Sequence, residues 1–184
     1  MTVGGRFAYS CRAAALALLA LCVLALPITA APVSARADGT GETDDAYLEQ
    51  LLGEWDMTGT FGGKAVRYRA SGERVLQGGF LRLHMIDADP TPKYEADVFV
   101  GFDPRRHDFV AHWLDRFGAA GARVVGTGKR NDMRLVMIFP YASGAFRDTF
   151  IFQPASGMWS LLLESQSPNG EWSTFANYTL ARPR

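Results

Sequence analysis

From about residue 53 to the C-terminus, apolar and polar side chains alternate in short runs, each broken by Gly, Pro, Asn or Asp, and few stretches repeat at helical spacing. A period of two marks a strand with one buried face, and short strands separated by turn residues predict an antiparallel sheet that closes on itself. The runs are 55–61, 66–70, 80–86, 94–102, 108–117, 122–128, 133–139, 145–153, 158–165 and 172–181. Between them lie Gly62-Gly63, the Pro90 and Pro92 loop, Asp103-Pro104-Arg105-Arg106, Asn131-Asp132, Pro154-Ala155-Ser156-Gly157 and Asn169-Gly170. Pro104 suits the second position of a turn, and Asn-Gly is a strong hairpin signal.

Connections this short join neighbours, so the sheet is expected to be an up-and-down meander. Run 158–165 carries Trp159, Leu161 and Leu163 on one side and Met158 and Leu162 on the other. A flat sheet would expose one of those faces. Closing it, and covering part of the outside with a helix or a second copy of the chain, removes both the edges and the apolar surface. The expected fold is therefore all-β: a single up-and-down antiparallel β-barrel of about ten strands with a short N-terminal helix, and a homodimer is one way to cover the outside. Thr43 or Asp44 can cap that helix, which runs to about residue 52 with Tyr47, Leu48, Leu51 and Leu52 on one side, as a lid or plug at the barrel mouth.

Composition and the N-terminus add the compartment. Arg6 and Arg12 precede the apolar run 13–26, followed by Pro27 and small residues, which is the layout of a secretory signal peptide. Ala35-Arg36-Ala37 gives a cut before Asp38, Ile28-Thr29-Ala30 gives a second, and an uncut anchor is the alternative, although the run is short for a membrane span. The organisation is then residues 1–37 signal peptide, 38–47 leader and start of the helix, and 48–184 barrel. The domain is expected to be exported, periplasmic or extracellular, with no stable membrane insertion after cleavage.

Cys11 and Cys22 both fall in the segment to be removed, so the exported part has no thiol, and bulky Leu21 before Cys22 does not suit a lipoprotein cleavage box. The whole chain has 19 basic and 19 acidic residues. Cleavage takes Arg6, Arg12 and Arg36 and no acid, which leaves a mildly acidic domain with lysines only at 64, 93 and 129. That is no footprint for a polyanion, so nucleic acid is excluded as a partner.

Gly53-Glu54-Trp55, where the helix meets the first strand, looks like the Gly-x-Trp opening of lipocalins and related calycins, in which the Trp plugs the barrel base and a late Arg packs on it. Arg182 stands where that Arg is expected. Gly78-Gly79-Phe80-Leu81, Gly101-Phe102-Asp103-Pro104, Trp113-Leu114-Asp115 and Gly126-Thr127-Gly128 then follow in an order that resembles a bacterial family of calycin-like barrels, domain of unknown function 1579, over about residues 48–184. The resemblance implies a barrel of about ten strands, structural roles for Gly53, Trp55 and Arg182, and no established activity. The export signal and the histidines at 84 and 112 depart from the family's common pattern.

Candidate chemistry follows from parity along each strand. His112 shares a face with Val110 and Leu114, whereas Trp113 and Asp115 share the other with Phe109 and Ala111. With Trp113 and Asp115 inside, Asp115 is a carboxylate needing an Arg or a donor, and Arg147, Arg67 and Arg69 are available in kind. Such a pair can fix strand register, bind the polar head of an apolar ligand, or act as a base. His84 reads as external, and His107 ends a turn. Asp148 and Glu164 are isolated acids on neighbouring strands and form a candidate acid pair. Phe150, Phe152, Trp159, Trp172 and Tyr178 crowd the closing strands as core or as a stacking wall.

The expected ligand-binding set is Trp113, Asp115, Arg147, Phe150, Trp159 and Tyr178. No catalytic residue, metal ligand or cofactor is assigned: three histidines on separate faces are a poor metal set, no histidine beyond His112 suits an axial haem ligand, and no nucleophile elbow, phosphate loop or His-Glu-x-x-His occurs. The sequon Asn177-Tyr178-Thr179 sits within a strand and is discounted. Three functions remain open: a carrier of a small apolar or amphipathic ligand, a small hydrolase or isomerase using a cavity Asp or His with Arg, and a cell-envelope interaction module with a filled barrel.

Overall fold

A computed structural model describes residues 46–184; the expected signal peptide, both cleavage sites, the leader and the helix caps at Thr43 and Asp44 lie outside the described residues. Residues 46–49 form one short helix, α1. Ten strands follow: β1 Gly53–Phe61, β2 Lys64–Val75, β3 Phe80–Asp87, β4 Glu95–Asp103, β5 Asp108–Asp115, β6 Val125–Asn131, β7 Arg134–Phe139, β8 Phe146–Gln153, β9 Met158–Gln166 and β10 Trp172–Ala181. Each strand pairs antiparallel with its neighbours in sequence, and β1 pairs with β10 from Asp56 opposite Ala181 to Phe61 opposite Ala176, which closes the barrel.

Several boundaries differ from the sequence reading. β2 continues past Ala70 to Val75, because it is paired on both sides, Gly53 opposite Gly72 and Val75 opposite Phe80. β5 stops at Asp115 and β6 starts only at Val125. There the Asp115 carboxylate accepts the Phe117 N–H at 2.9 Å and its carbonyl accepts the Gly118 N–H at 3.0 Å, so the chain turns away before it can continue the ladder.

Alternation decides what fills the interior. Trp55 and Met57 of β1, Leu81, Leu83 and Met85 of β3, Val98 and Val100 of β4, Leu135 and Met137 of β7, and Leu161 of β9 are all essentially inaccessible to solvent. Fully burying a side chain of this size stabilises the fold by about 1.5–3 kcal/mol. The intervening residues, among them His84, Arg82 and Arg147, face outward.

One end of the barrel, where β1 begins and β10 ends, is plugged by α1. Tyr47, Leu48 and Leu51 are buried there. So short a helix cannot satisfy its own last carbonyls, and the barrel supplies donors: the Trp55 indole donates to the Leu51 carbonyl at 2.8 Å, and the Trp159 indole to the Gln50 carbonyl at 3.2 Å. The Tyr47 hydroxyl donates to the Phe150 carbonyl at 3.1 Å, and its ring meets Trp159 edge-on at 5.0 Å.

Arg182 closes the same end. Its guanidinium lies 3.6 Å from the centre of the Trp55 ring and donates to the Leu52 carbonyl at 2.7 Å. Gly53 sits beneath it at φ +93°, a conformation that disfavours any side chain, and a Cβ there would stand 2.8 Å from the Arg182 Nη1.

Candidate functional site

With α1 filling one end, free space is left at the other, where β1 finishes and β10 begins. A cavity of about 260 Å³ lies there, walled by Phe61, Tyr94, Trp113, Phe117, Phe139, Tyr141, Phe146, Phe175 and Tyr178, with Leu163, Ser143, Gly121 and two carboxylates, Asp115 and Asp148. Every second loop of an up-and-down meander returns to the same end, so the wall gathers residues distant in sequence. Gly126 of β6 makes room for one ring: a Cβ on it would meet the Phe139 ring at 2.7 Å.

Phe175 enters by a different device. The β10–β9 register slips between Thr174 and Ala176, an irregularity that interrupts alternation and turns a side chain towards the mouth. Phe175 thereby meets Phe61 at 4.9 Å and Phe146 at 5.1 Å, both edge-on. On the opposite wall the Trp113 indole donates to the Tyr94 hydroxyl at 3.3 Å, and Tyr68 packs between Tyr94 and Tyr178 at 5.6 and 5.7 Å. Burial pushes the hydroxyls of Tyr94, Tyr178, Tyr68 and Tyr141 above their ordinary pKa, so they stay neutral donors at any ordinary pH.

The two carboxylates differ sharply. Asp115 is half-buried at the rim and already serves the Phe117 N–H. Asp148 is 3% exposed, and its Oδ1 is buried with no hydrogen-bond partner among the described residues. Loss of hydration raises its pKa to about 7. A buried acid lacking donors holds its proton until the solution is neutral.

The residues singled out in the sequence divide into three groups. Trp113, Asp115 and Tyr178 come together on the cavity. Phe150 and Trp159 point into the barrel but pack beneath α1 at the plugged end. Arg147 faces outward, a correction to its assignment as a cavity residue: it lies between Phe146 and Asp148, both on the cavity wall, so parity sends it to the other face. There its guanidinium donates to Glu164 at 2.7 Å and covers the Trp172 ring at 4.3 Å. This also separates Glu164 from Asp148. Across β8 and β9 the partners are Arg147 with Glu164 and Asp148 with Leu163, so the two acids stand on opposite faces and form no pair.

His112 is likewise external, its Nε2 2.7 Å from the Ala122 carbonyl. His84 sits outside with Nδ1 3.0 Å from Asp97 and Nε2 3.7 Å from Glu95. Among the described residues no three His, Cys, Asp or Glu side chains gather as a metal site.

A second, wider cleft of about 620 Å³ shares Phe61, Tyr94 and Phe117 with the cavity and is lined outside them by Lys64, Arg67, Lys93 and Arg116 beside Asp87 and Asp89. Among the described residues, the inner cavity itself has no basic side chain on its wall. Sequence reasoning singled out Asp148 only as half of an acid pair with Glu164, and it missed Phe61, Tyr94, Phe117, Phe139, Tyr141, Phe146 and Phe175. Most of them flank loops that share one end of the meander, and that common end is the signal that would have grouped them. No protein-family model and no curated protein matches the chain.

Proposed function

We propose that this chain is an exported carrier, related to the calycin-like barrels it resembles, that holds a small apolar or amphipathic molecule in the open-end cavity. One observation carries the reading: a barrel plugged at one end leaves at the other a concave space of about 260 Å³ walled by aromatic rings with few polar groups. Packing that fills the plugged end to exclusion of solvent stops short of this space, which disfavours a solid barrel acting only through its outer surface. The volume sits near the lower end of ligand pockets and limits the guest to a small molecule. Native mass spectrometry of the chain purified from its own host tests the reading. A stoichiometric small-molecule adduct supports it; protein that is free of adduct and takes up no apolar fluorophore sinks it.

Acid–base catalysis is a second reading, favoured by a carboxyl whose pKa of about 7 is set inside a cavity. Its base is Asp148, since His112 and Arg147 both lie outside. A substrate screen in which Asp148→Asn leaves every detected turnover unaltered removes it.

A further inference from the structure

The wall of the open-end cavity has an unusual charge character. Among the described residues it offers nine aromatic rings and two carboxylates, and neither an Arg nor a Lys. A pocket built for a fatty acid, a phosphate or another anion needs a donor cation at its base; here the base offers a carboxylate. Asp148 is almost completely buried, lines the cavity, and leaves Oδ1 without a partner among the described residues. Buried polar atoms are ordinarily paired, so an orphaned carboxylate oxygen in a cavity asks for a donor from a guest.

The rings point the same way. Aromatic faces attract cations, and a carboxylate beside them adds a charge-assisted hydrogen bond in a site shielded from water. We propose that the cavity takes an organic cation, a protonated amine on an apolar body, with its nitrogen against Asp148 and its carbon skeleton against the aromatic wall. This rests on the reading of the cavity as a ligand-holding site. Asp115 at the rim adds a second negative group on the path inward. The basic side chains Lys64, Arg67, Lys93 and Arg116 belong to the neighbouring cleft outside Phe61, Tyr94 and Phe117, so the preference for cations is confined to the inner space.

Binding then depends on the charge of Asp148. The other ionisable groups on the cavity wall are Asp115 from β5, Tyr94 from the β3–β4 loop, Tyr141 from the β7–β8 loop and Tyr178 from β10, with Tyr68 of β2 behind them. The tyrosines stay neutral across the range in which Asp148 ionises.

The test compares 2-phenylethylamine with its neutral isostere 2-phenylethanol by isothermal titration calorimetry on the full-length chain at pH 8 and pH 5.5. At pH 8 the amine is expected to bind at least about tenfold more tightly, the ratio that one charge-assisted hydrogen bond supplies. The preference shrinks at pH 5.5. In Asp148→Asn it falls to about parity. Equal affinity for the two molecules in the unaltered chain at pH 8 overturns the inference alone, and needs no variant to fold. A preference that survives Asp148→Asn overturns it too. Uptake of neither molecule overturns the ligand-holding reading and this inference with it.

Discussion

Replacing Asp148 with Asn keeps the shape of the side chain and removes its ionisation, which makes it the most direct probe of the buried carboxyl. Its pKa in the folded chain is about 7 against an ordinary 3.8, because the charged form loses its hydration on burial. The difference of about three units corresponds to about 4 kcal/mol. The sign is fixed by which state holds the proton more tightly. Below about pH 4 both states are protonated and the group costs nothing. Between about 4 and 7 the folded chain keeps the proton that the unfolded chain has released, so stability falls by about 1.4 kcal/mol per pH unit. Above 7 the full cost of about 4 kcal/mol remains. The Asp148→Asn variant carries no such slope, although a buried amide without a partner costs about 1–3 kcal/mol at every pH. Urea unfolding followed by tryptophan fluorescence, run on both proteins from pH 4.5 to 8.5, isolates the effect, since every other titrating group is common to the two. The variant is expected to gain on the parent steadily as pH rises and to level off above neutrality. Parallel profiles across that range would refute the account of Asp148 as a desolvated, unpartnered acid.

Three further outcomes follow from the geometry. Gly53→Ala meets both a positive φ and the Arg182 guanidinium and is expected to cost about 1–3 kcal/mol in a chemical melt, more than Gly62→Ala, whose added Cβ meets nothing within 4 Å. Arg147→Ala removes an outward ion pair, so it changes stability by about 1 kcal/mol or less and leaves amine binding at the parent value, where a cavity role would abolish it. Trp159→Phe strands the Gln50 carbonyl under α1 and lowers stability by about 1–3 kcal/mol. Its ligand affinity stays unchanged, because the plugged end is separate from the cavity.

The architecture is legible in the sequence because alternation and turn chemistry are local signals. Gly62-Gly63, Asn131-Asp132 and Asn169-Gly170 each sit at a real reversal, and positive φ at Asp132 and Gly170 is what those residue types permit. Parity also sorts faces: Trp113 and Asp115 go inside and His112 outside. It separates Arg147 from Phe150 as well, since the two are an odd number of residues apart and cannot share a face of a regular strand. Parity says nothing, however, about height along the barrel axis. Phe150 and Trp159 share the interior with Tyr178, yet two of the three lie under α1 and one lies at the cavity, a distinction set by which end the helix plugs. Nor does it survive an irregular register, which is how Phe175 reaches the mouth. Asp148 stands in a run whose two faces are both partly apolar, so its burial follows from closure of the whole sheet and not from residues 146–152 alone.

Stability and binding at Asp148 are two sides of one equilibrium. A cost of about 4 kcal/mol at pH 8 is a large share of the roughly 5–15 kcal/mol that a domain commonly possesses, and an apolar side chain at this position would avoid it. A guest that carries a positive charge to the carboxylate stabilises the ionised form and offsets that cost, and linkage requires the reciprocal effect: ionising Asp148 must tighten the guest. The same amine should therefore raise the unfolding temperature more at pH 8 than at pH 5.5, whereas a neutral guest of equal affinity should raise it equally at both. An acid without a partner among the described residues, in an aromatic cavity whose described wall has no basic side chain, makes physical sense as the folded chain's half of that pair.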